Sequence, residues 1–281
     1  MRVAWETVCR VGVAASALWV GAAVASTVAG LWVWGAALFV AFVAVFAWVS
    51  SRALFWWPRK PADEPVVLML HSVSEGIAEP TAPNNSIRPA ALSRLIGDLR
   101  AAGYRFATLR DAFSAPVRRR TVVLTFDDGF VDNFTELLPI LRWFNVPATV
   151  FATSRRAPAF LSEAQIREMA ASGLVEFGGH TVSHVRLAQA CDEATATREI
   201  AENKRDLEAI VGAPLVSFAY PFGDFGEREE RLAREAGYRF AVTTRKHGRV
   251  ESPFRIPRQI IPRDTPAFAA YLLATRGKRR L

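Results

Sequence analysis

Cysteine and histidine are scarce in this sequence, and each scarcity limits what the protein can be. Cys9 and Cys191 are the only cysteines among 281 residues, so the disulfide framework of a small secreted domain is excluded. The chain has only four histidines, and a pair of them at metal-ligand spacing is therefore informative. The sequence after residue 65 also lacks internal repeats and low-complexity tracts, which excludes a repeat architecture.

Acidic residues are in deficit. Aspartate and glutamate number 27 against 35 lysines and arginines, which gives a formal net charge of +8. No base-reading motif and no aromatic platform accompanies the basic excess, so we expect no nucleic-acid partner. The excess continues in the tail "TRGKRRL" at 275–281. It favours contact with anionic lipid headgroups or with an anionic substrate.

Charge is missing altogether from residues 11–51. This apolar stretch is about twice the roughly 20 residues that one helix needs to cross a bilayer. The sequence therefore predicts a transmembrane helical hairpin with spans near 11–27 and 31–49, within a membrane anchor at 1–57. The competing interpretation is a cleaved signal peptide, because a small-residue "AVA" occurs at 23–25. A signal peptide would not need the second apolar run.

Basic residues flank both ends of the apolar stretch. Arg2 and Arg10 precede it, and Arg52, Arg59 and Lys60 follow it. A hairpin with positive charge at both ends has both ends in the cytoplasm. We therefore expect a protein of the plasma (inner) membrane whose remaining part is cytoplasmic. A single tilted span or a cleaved leader would place that part in the periplasm or outside the cell.

The rest of the chain alternates strand and helix patterns. A proline-rich, charged linker is predicted at 58–65 and one folded domain at 66–281. Short apolar runs predict six strands, at 66–70, 121–126, 148–153, 174–179, 215–220 and 239–244. Apolar residues at helical spacing lie between them, for example at 92–99. This alternation predicts an α/β fold with a parallel sheet, either a barrel or an open doubly wound sheet, with its chemistry where the strands end.

Two adjacent carboxylates stand where the second of these strands ends, in "TVVLTFDDGF" at 121–130. Asp127 and Asp128 follow the strand, and Gly129 allows a sharp exit into a helix expected around 131–143. Asp-Gly is also ordinary chemistry for a turn at the end of a strand. This motif alone therefore does not indicate a site.

Two histidines follow another strand, in "EFGGHTVSH" at 176–184. His180 and His184 are four residues apart, which on a helical turn points both imidazoles the same way. A catalytic zinc takes three protein ligands and keeps one position for water. One aspartate of the pair would be the third ligand, and the other would remove a proton from water. A zincin motif is excluded because Thr181 follows His180, and a two-carboxylate glycosidase, which competes for the aspartates, has no use for the histidines.

Two further strand ends carry candidate residues. In "SFAYPFGDFGE" at 217–227, Pro221 and Gly223 form a rigid turn whose backbone N–H groups could face a developing oxyanion. His71 ends the strand in "VVLMLHSV" and would meet the other clusters at the same edge of the sheet. Each of these features is common in purely structural roles. They indicate a functional site only in combination with the aspartate pair and the histidine pair.

Together these motifs resemble the polysaccharide deacetylases of the NodB-homology type, carbohydrate esterase family 4. "TFDDG" at 125–129 and "HTVSH" at 180–184 form a specific pair, and the resemblance covers about residues 65–262. It implies that the fold is a distorted (β/α)7 barrel, preceded here by the predicted hairpin.

The resemblance assigns a role to each candidate residue. Asp127 matches the catalytic base, and Asp128 matches a metal ligand beside His180 and His184. The implied cofactor is a divalent metal, and zinc is the expected ion. The N–H of Phe222 would help the metal to hold the oxyanion.

Two motifs of the family are altered in this chain. Where the family has Arg-x-Pro-Tyr, residues 219–222 read Ala-Tyr-Pro-Phe, and the late Leu-x-His motif is missing. Both changes resemble a subgroup with permuted motifs that includes the poly-N-acetylglucosamine deacetylases. In that subgroup the acid histidine comes from the first strand, a place that His71 fits. Arg255 or Arg258 could replace the missing guanidinium, a hypothesis that rests on position alone.

The resemblance implies a metal-dependent hydrolase that removes an N-acetyl or N-formyl group from an amino sugar. The expected partners are an N-acylated amino-sugar polymer or a polyprenyl-phosphate-linked sugar, together with membrane lipids. The alternative is a non-catalytic, membrane-tethered saccharide-binding barrel. Asp127 separates the two functions, because a binding module needs no free carboxylate beside its metal ligands.

Overall fold

The computed structural model of the protein describes six segments of the chain: residues 38–43, 64–76, 86–114, 120–155, 157–245 and 250–263.

The chain divides into two compact units, Met1–Trp56 and Trp57–Leu281. In the first unit, residues 38–43 are helical. The remainder of the predicted spans 11–27 and 31–49 lies outside the described residues, as does most of the predicted linker. No described helix has both the length and the apolar character that crossing a bilayer requires. The membrane anchor stays a prediction.

The second unit is built from short strands separated by helices. Its described strands are β1 (Val66–Leu70), β2 (Ser72–Val73), β3 (Ser86–Ile87), β4 (Arg105–Phe106), β5 (Thr121–Phe126), β6 (Ala148–Ala152), β7 (Val175–Gly179), β8 (Ser217–Ala219), β9 (Phe240–Val242) and β10 (Gln259–Ile260). Its described α-helices are α1 (Pro89–Ala101), α2 (Leu109–Ser114), α3 (Leu138–Phe144), α4 (Glu163–Ala171), α5 (Leu187–Ala190), α6 (Glu193–Val211) and α7 (Glu227–Glu235). A π-helical turn, Asn133–Leu137, leads into α3, and a 3₁₀ turn, Pro221–Gly223, follows β8.

One parallel sheet organises this unit. Its strands follow the order β10-β1-β5-β6-β7-β8-β9, and β4 pairs with the start of β5. The two ends of the sheet meet in a single segment: Ile256 forms a parallel bridge with Val242 of β9, and Gln259 pairs with Leu68 of β1. The sheet is therefore rolled, which is consistent with the expected (β/α)7 barrel. We call residues 256–260 the closing segment.

The two faces of the rolled sheet are both covered by apolar side chains. Val67, Val123 and Phe151 belong to a cluster on the inner face, whereas Val122 and Leu124 belong to the larger cluster that includes the helices. Successive side chains point to opposite faces of a strand, which explains this alternation along β5. A strand buried on both faces needs an unbroken apolar run, and β5 is buried throughout.

The sequence predicted these elements with different success. The strands at 66–70 and 121–126 are confirmed residue for residue. The other four are shorter than predicted, and the one expected at 215–220 is only Ser217–Ala219, because Pro221 has no N–H for a ladder bond. The helical series at 92–99 lies in α1, with the predicted apolar residues buried.

Candidate metal centre and active site

The predicted site residues come together at one edge of the rolled sheet, where four strands end. His71 follows β1, Asp127 and Asp128 follow β5, His180 follows β7, and the turn that contains Phe222 follows β8. The carboxyl ends of parallel strands share one edge, so residues that are distant in the sequence become neighbours there.

Asp127 forms a two-point ion pair with Arg258 of the closing segment. The two guanidinium nitrogens donate to the two carboxylate oxygens at 2.6 and 2.7 Å. The guanidinium also donates to the Thr125 hydroxyl at 3.1 Å and to the Thr243 carbonyl at 3.0 Å. Both charged groups are buried, and a buried pair is tolerated when its remaining hydrogen-bonding capacity is satisfied, as here.

This ion pair sets the protonation state of Asp127. Burial by itself would raise the pKa of the carboxyl, but the Arg258 guanidinium outweighs burial and lowers the pKa below its usual value. Asp127 is therefore an ionised carboxylate at neutral pH and can accept a proton.

The two candidate replacements for the missing family arginine are thereby separated. Arg258 reaches Asp127, whereas Arg255 pairs with Glu230 of α7. Ile256 belongs to the inner apolar cluster, and side chains two residues apart share a face of a strand. Arg258 therefore points into the rolled sheet from the closing segment.

Asp128, His180 and His184 form a compact group of metal-ligand type. Asp128 Oδ1 lies 3.4 Å from His180 Nε2 and 3.2 Å from His184 Nε2. One ligand atom from each residue lies within 4.8 Å of the other two. Two imidazole nitrogens and one carboxylate oxygen are the three-ligand set of many catalytic zinc sites.

The surroundings of these three residues fit a divalent cation. Asp128 Oδ1 is buried, and no hydrogen bond from the described residues reaches it. His180 Nδ1 donates to the Ala219 carbonyl at 2.8 Å, which leaves its Nε2 as the atom that faces Asp128. Metal-binding histidines usually make this second contact to a carbonyl or carboxylate.

The charge states of His184 and Asp128 fit the same ion. Burial, followed by the neighbouring His180, lowers the pKa of His184 to about 4, so this imidazole is neutral at pH 7, the form that binds metals. Burial opposes ionisation of Asp128, but the nearby imidazoles outweigh it and lower the pKa of the carboxyl.

The backbone around this group is held in an unusual conformation. Asp128, Thr181 and His184 have φ values of 73°, 66° and 58°, in the left-handed region that residues with a side chain seldom adopt. Each such residue costs on the order of 1–3 kcal/mol. The surrounding structure compensates, since the Thr181 hydroxyl accepts from the His184 N–H at 3.0 Å.

Helix α6 fixes the loop that carries both histidines. The buried Asn203 side chain accepts from the His180 N–H at 2.9 Å and donates to the Ala152 carbonyl at 3.2 Å. One turn earlier, the Glu199 carboxylate accepts from the N–H and the hydroxyl of Ser183, at 2.9 and 2.7 Å. Sequence reasoning missed both residues. The available signal was a polar residue at position 203 on the apolar face of the helix between Ile200 and Leu207.

His71 lies on the other side of Asp127. Its Nε2 is 3.9 Å from Asp127 Oδ2. The Asn133 side chain donates to the His71 carbonyl at 3.0 Å, and Asp132 accepts from the Val73 N–H at 3.1 Å. The first turn after β5 therefore holds the segment that carries His71.

Phe222 borders the group at the solvent side. Its φ is 60°, and its ring centre lies 4.5 Å from that of His184. The hydrogen bonds of its turn run from the Gly223 N–H to Tyr220 and from the Asp224 N–H to Pro221. The expected oxyanion role of the Phe222 N–H stays a prediction.

Residues 114–241 match the family described as polysaccharide deacetylase. YxkH of Bacillus subtilis (strain 168), which is named after that family, is 28% identical over 207 residues, covering 70% of this chain and 68% of its own. A poly-β-1,6-N-acetyl-D-glucosamine N-deacetylase of Escherichia coli (strain K12) is 32% identical over 147 residues, covering 44% of this chain. The match spans only 21% of that longer protein.

The fold has a counterpart among solved structures. The Streptococcus pyogenes deacetylase PplD, solved in complex with acetate, superposes with a TM-score of 0.67 at 24% identity. The superposition covers 78% of this chain and 100% of that one. At this level of identity, the likeness supports the rolled parallel sheet and nothing more specific.

Proposed function

We propose that the chain is a polysaccharide deacetylase, the family that residues 114–241 match, and that it acts as a metal-dependent hydrolase of N-acylated amino sugars. Water adds to the carbonyl carbon of the amide, the carbon–nitrogen bond breaks, and a carboxylic acid and a free amine leave. The observation that carries this proposal is the ionised Asp127 carboxylate, buried directly beside the metal-ligand group but outside it.

Asp128, His180 and His184 are the residues that would hold the metal. Their ligand atoms converge, and the Asp128 oxygen among them has no other partner in the described part of the chain. A divalent cation bound there supplies Lewis-acid chemistry, which polarises the amide carbonyl and makes water more acidic. The two nitrogens and one oxygen favour zinc.

The chain itself provides the proton transfers. Asp127 accepts a proton from the attacking water, and Arg258 keeps that carboxylate ionised and oriented. His71, in its protonated form, delivers a proton from Nε2 to the departing amine nitrogen, which would otherwise be a poor leaving group. The Phe222 N–H would donate to the oxyanion.

A saccharide-binding module without catalytic activity is the second candidate. It would use the same metal ligands and the same rolled sheet. It gives no reason to bury an ionised carboxylate and its arginine next to the metal ligands, since burying such a pair carries a desolvation cost that binding alone does not repay. This observation favours the enzyme.

The names of the relatives support the substrate class that we propose. One of them is named as a deacetylase of poly-β-1,6-N-acetyl-D-glucosamine, which favours an N-acetylglucosamine polymer. A polyprenyl-phosphate-linked sugar remains the alternative that a cytoplasmic, membrane-tethered domain would meet. We place the protein at the plasma membrane because of its apolar N-terminal stretch. A reporter fused after Leu281, active on only one side of the membrane, tests that placement.

The proposed activity is tested with the full chain, purified in detergent. We expect acetate release from N-acetylglucosamine oligomers, loss of that release after chelation, and recovery on addition of Zn²⁺. A preparation that binds one equivalent of zinc and the oligomer, yet releases no acetate from any N-acylated amino sugar, would contradict the enzyme and favour the binding module.

A further inference from the structure

An exposed aromatic ring with an arginine over it stands at the mouth of the site. Phe222 is 49% exposed, although its ring contacts that of the proposed metal ligand His184. The guanidinium carbon of Arg186 lies 4.3 Å from the centre of the Phe222 ring. A cation over an aromatic face is attracted by the negative face of the ring. The ring therefore holds the guanidinium beside the metal centre.

Two arginines of α7 are paired with acidic residues, whereas Arg186 has no such partner among the described residues. In the part of the chain that the structure describes, no carboxylate lies within ion-pair distance, 4.0 Å, of its side chain. Arg228 and Arg231 of α7, by contrast, pair with Glu229 and Glu193. Asp224, the acidic residue that contacts α5, accepts from the backbone N–H groups of that helix instead.

A purely local role for Arg186 is not evident. The residue precedes α5, but its side chain makes no capping hydrogen bond to that helix. A second cation contacts the histidine loop, where Arg155 donates to the Ser183 carbonyl at 2.6 Å. Two guanidinium groups therefore lie next to the loop or to the ring that packs on it, in addition to the charge that a bound metal would bring.

We propose that Arg186 binds an anionic group, a carboxylate or a phosphate, that the substrate carries within about one sugar unit of the N-acyl group. The proposal rests on the proposed function and specifies its substrate as an acidic amino-sugar glycan. A guanidinium recognises either anion through paired, charge-assisted hydrogen bonds. Phe222 provides the flat surface that holds this guanidinium in place and that a sugar ring contacts.

Three substrates of matched size test the proposal on the metal-loaded full chain. One is a neutral N-acetylglucosamine oligomer, the second carries an ether-linked carboxylate on the neighbouring sugar, and the third carries a phosphate ester on the acylated sugar. We expect kcat/KM to be higher for one of the two anionic substrates than for the neutral one, mainly through a lower KM. The anion that shows the preference identifies the source of the charge.

The variant Arg186→Gln should reduce the ratio of anionic to neutral kcat/KM by about tenfold or more, because a hydrogen bond to a charged group contributes roughly 1.5–3 kcal/mol. Arg186→Lys should retain part of the ratio, since lysine keeps the positive charge but lacks the paired N–H donors of a guanidinium. Arg205→Gln, at an exposed position of α6, is the control and should leave the ratio unchanged.

Two results overturn the proposal in distinguishable ways. Equal ratios in the wild type and in Arg186→Gln for both anions would assign Arg186 a structural role, while the hydrolase itself stands. No hydrolysis of any of the three substrates by the metal-loaded wild type would overturn the proposed function, and the anion site with it.

Discussion

Glu176 and Asp128 are both buried carboxylates of the same rolled sheet. They lie at opposite ends of the strands and differ in their hydrogen bonding. Glu176, near the start of β7, accepts from the Arg110 N–H and the Thr149 hydroxyl, each at 3.0 Å, and from the Ser217 hydroxyl at 2.5 Å. Asp128, after the end of β5, leaves Oδ1 without a hydrogen bond among the described residues.

The backbone shows the same contrast. Among the described residues, six that are not glycine have a positive φ, and four of them, Asp128, Thr181, His184 and Phe222, lie around the metal-ligand group. Strained backbone and unpaired buried polar atoms persist where function requires them. The end whose buried carboxylate is fully engaged by the protein maintains the fold, and the end whose carboxylate is not carries the candidate site.

A cavity by itself does not mark the candidate site of this protein. A cavity of about 410 Å³ lies near Glu176, lined by Arg110, Phe177 and Leu215 among others. The polar atoms of Glu176 are already engaged by the protein. Converging ligand atoms, rather than empty volume, identify the candidate site.

The largest effects are expected from the two adjacent aspartates, which separate catalysis from metal binding. Asp127→Asn should lower kcat by about 10²- to 10⁴-fold, the usual contribution of a general base, while the metal content stays near that of the wild type. Asp128→Asn should lose both activity and metal, since it removes a ligand. Metal analysis by mass spectrometry, alongside acetate release, checks the difference, and loss of metal from Asp127→Asn alone would reverse our assignment.

The next effect concerns the buried ion pair. Arg258→Met should destabilise the protein by about 3–5 kcal/mol, because it leaves the Asp127 charge buried without a partner. Arg258→Lys, which keeps the charge, should lie between this variant and the wild type. Urea unfolding at neutral pH measures the difference, and equal stability of the Met variant and the wild type would contradict the role of the pair.

The same variant has a predictable pH dependence. In the wild type, the pKa of Asp127 is lowered, so its contribution to stability is present above its usual pKa of about 3.9 and is lost as the pH falls through the lower folded value. Without Arg258, the largest opposition to burial is lost and the pKa of Asp127 rises. The stability difference between wild type and Arg258→Met should therefore grow from pH 3 to pH 7, roughly across these pKa values.

A smaller effect is expected where α6 supports the histidine loop. Asn203→Ala should weaken zinc binding by about 10- to 100-fold, as removal of an outer-shell partner commonly does. Arg205→Ala, two positions further along the same helix, is the matched control. A competitive chelator titration measures the affinities, and unchanged affinity in Asn203→Ala would mean that the loop holds its shape without this side chain.

The smallest effect on chemistry is expected at Glu176. Glu176→Gln should cost about 1–3 kcal/mol of stability, because a carboxylate oxygen that accepts hydrogen bonds becomes a donor. The kcat of the folded variant should equal that of the wild type. Glu163→Gln, at a half-exposed position of α4, is the control for stability. A reduced kcat in Glu176→Gln would contradict a purely structural role for the Glu176 end of the sheet.

Local pattern was sufficient to predict much of this arrangement. The apolar runs located β1 and β5 to the residue, and the rule that parallel strands end at one edge brought His71, Asp127 and His180 together. Arg258 could only be named as one of two possibilities, because its role depends on the register of the closing segment, 131 residues after Asp127. The role of Asn203 could not be predicted for a related reason. A polar residue on an apolar helix face indicates a buried hydrogen bond but does not identify the partner.

The position of the closing segment near the end of the domain also determines when the ion pair between Asp127 and Arg258 can form. During translation, Asp127 leaves the ribosome long before Arg258 exists, and the sheet cannot roll shut until nearly all of the domain has emerged. A polypeptide that ends before residue 258 thus carries all three proposed metal ligands, yet lacks the cation that keeps the Asp127 carboxyl ionised. The buried ion pair, and the proton acceptor that it would maintain, form only after Arg258 has been made.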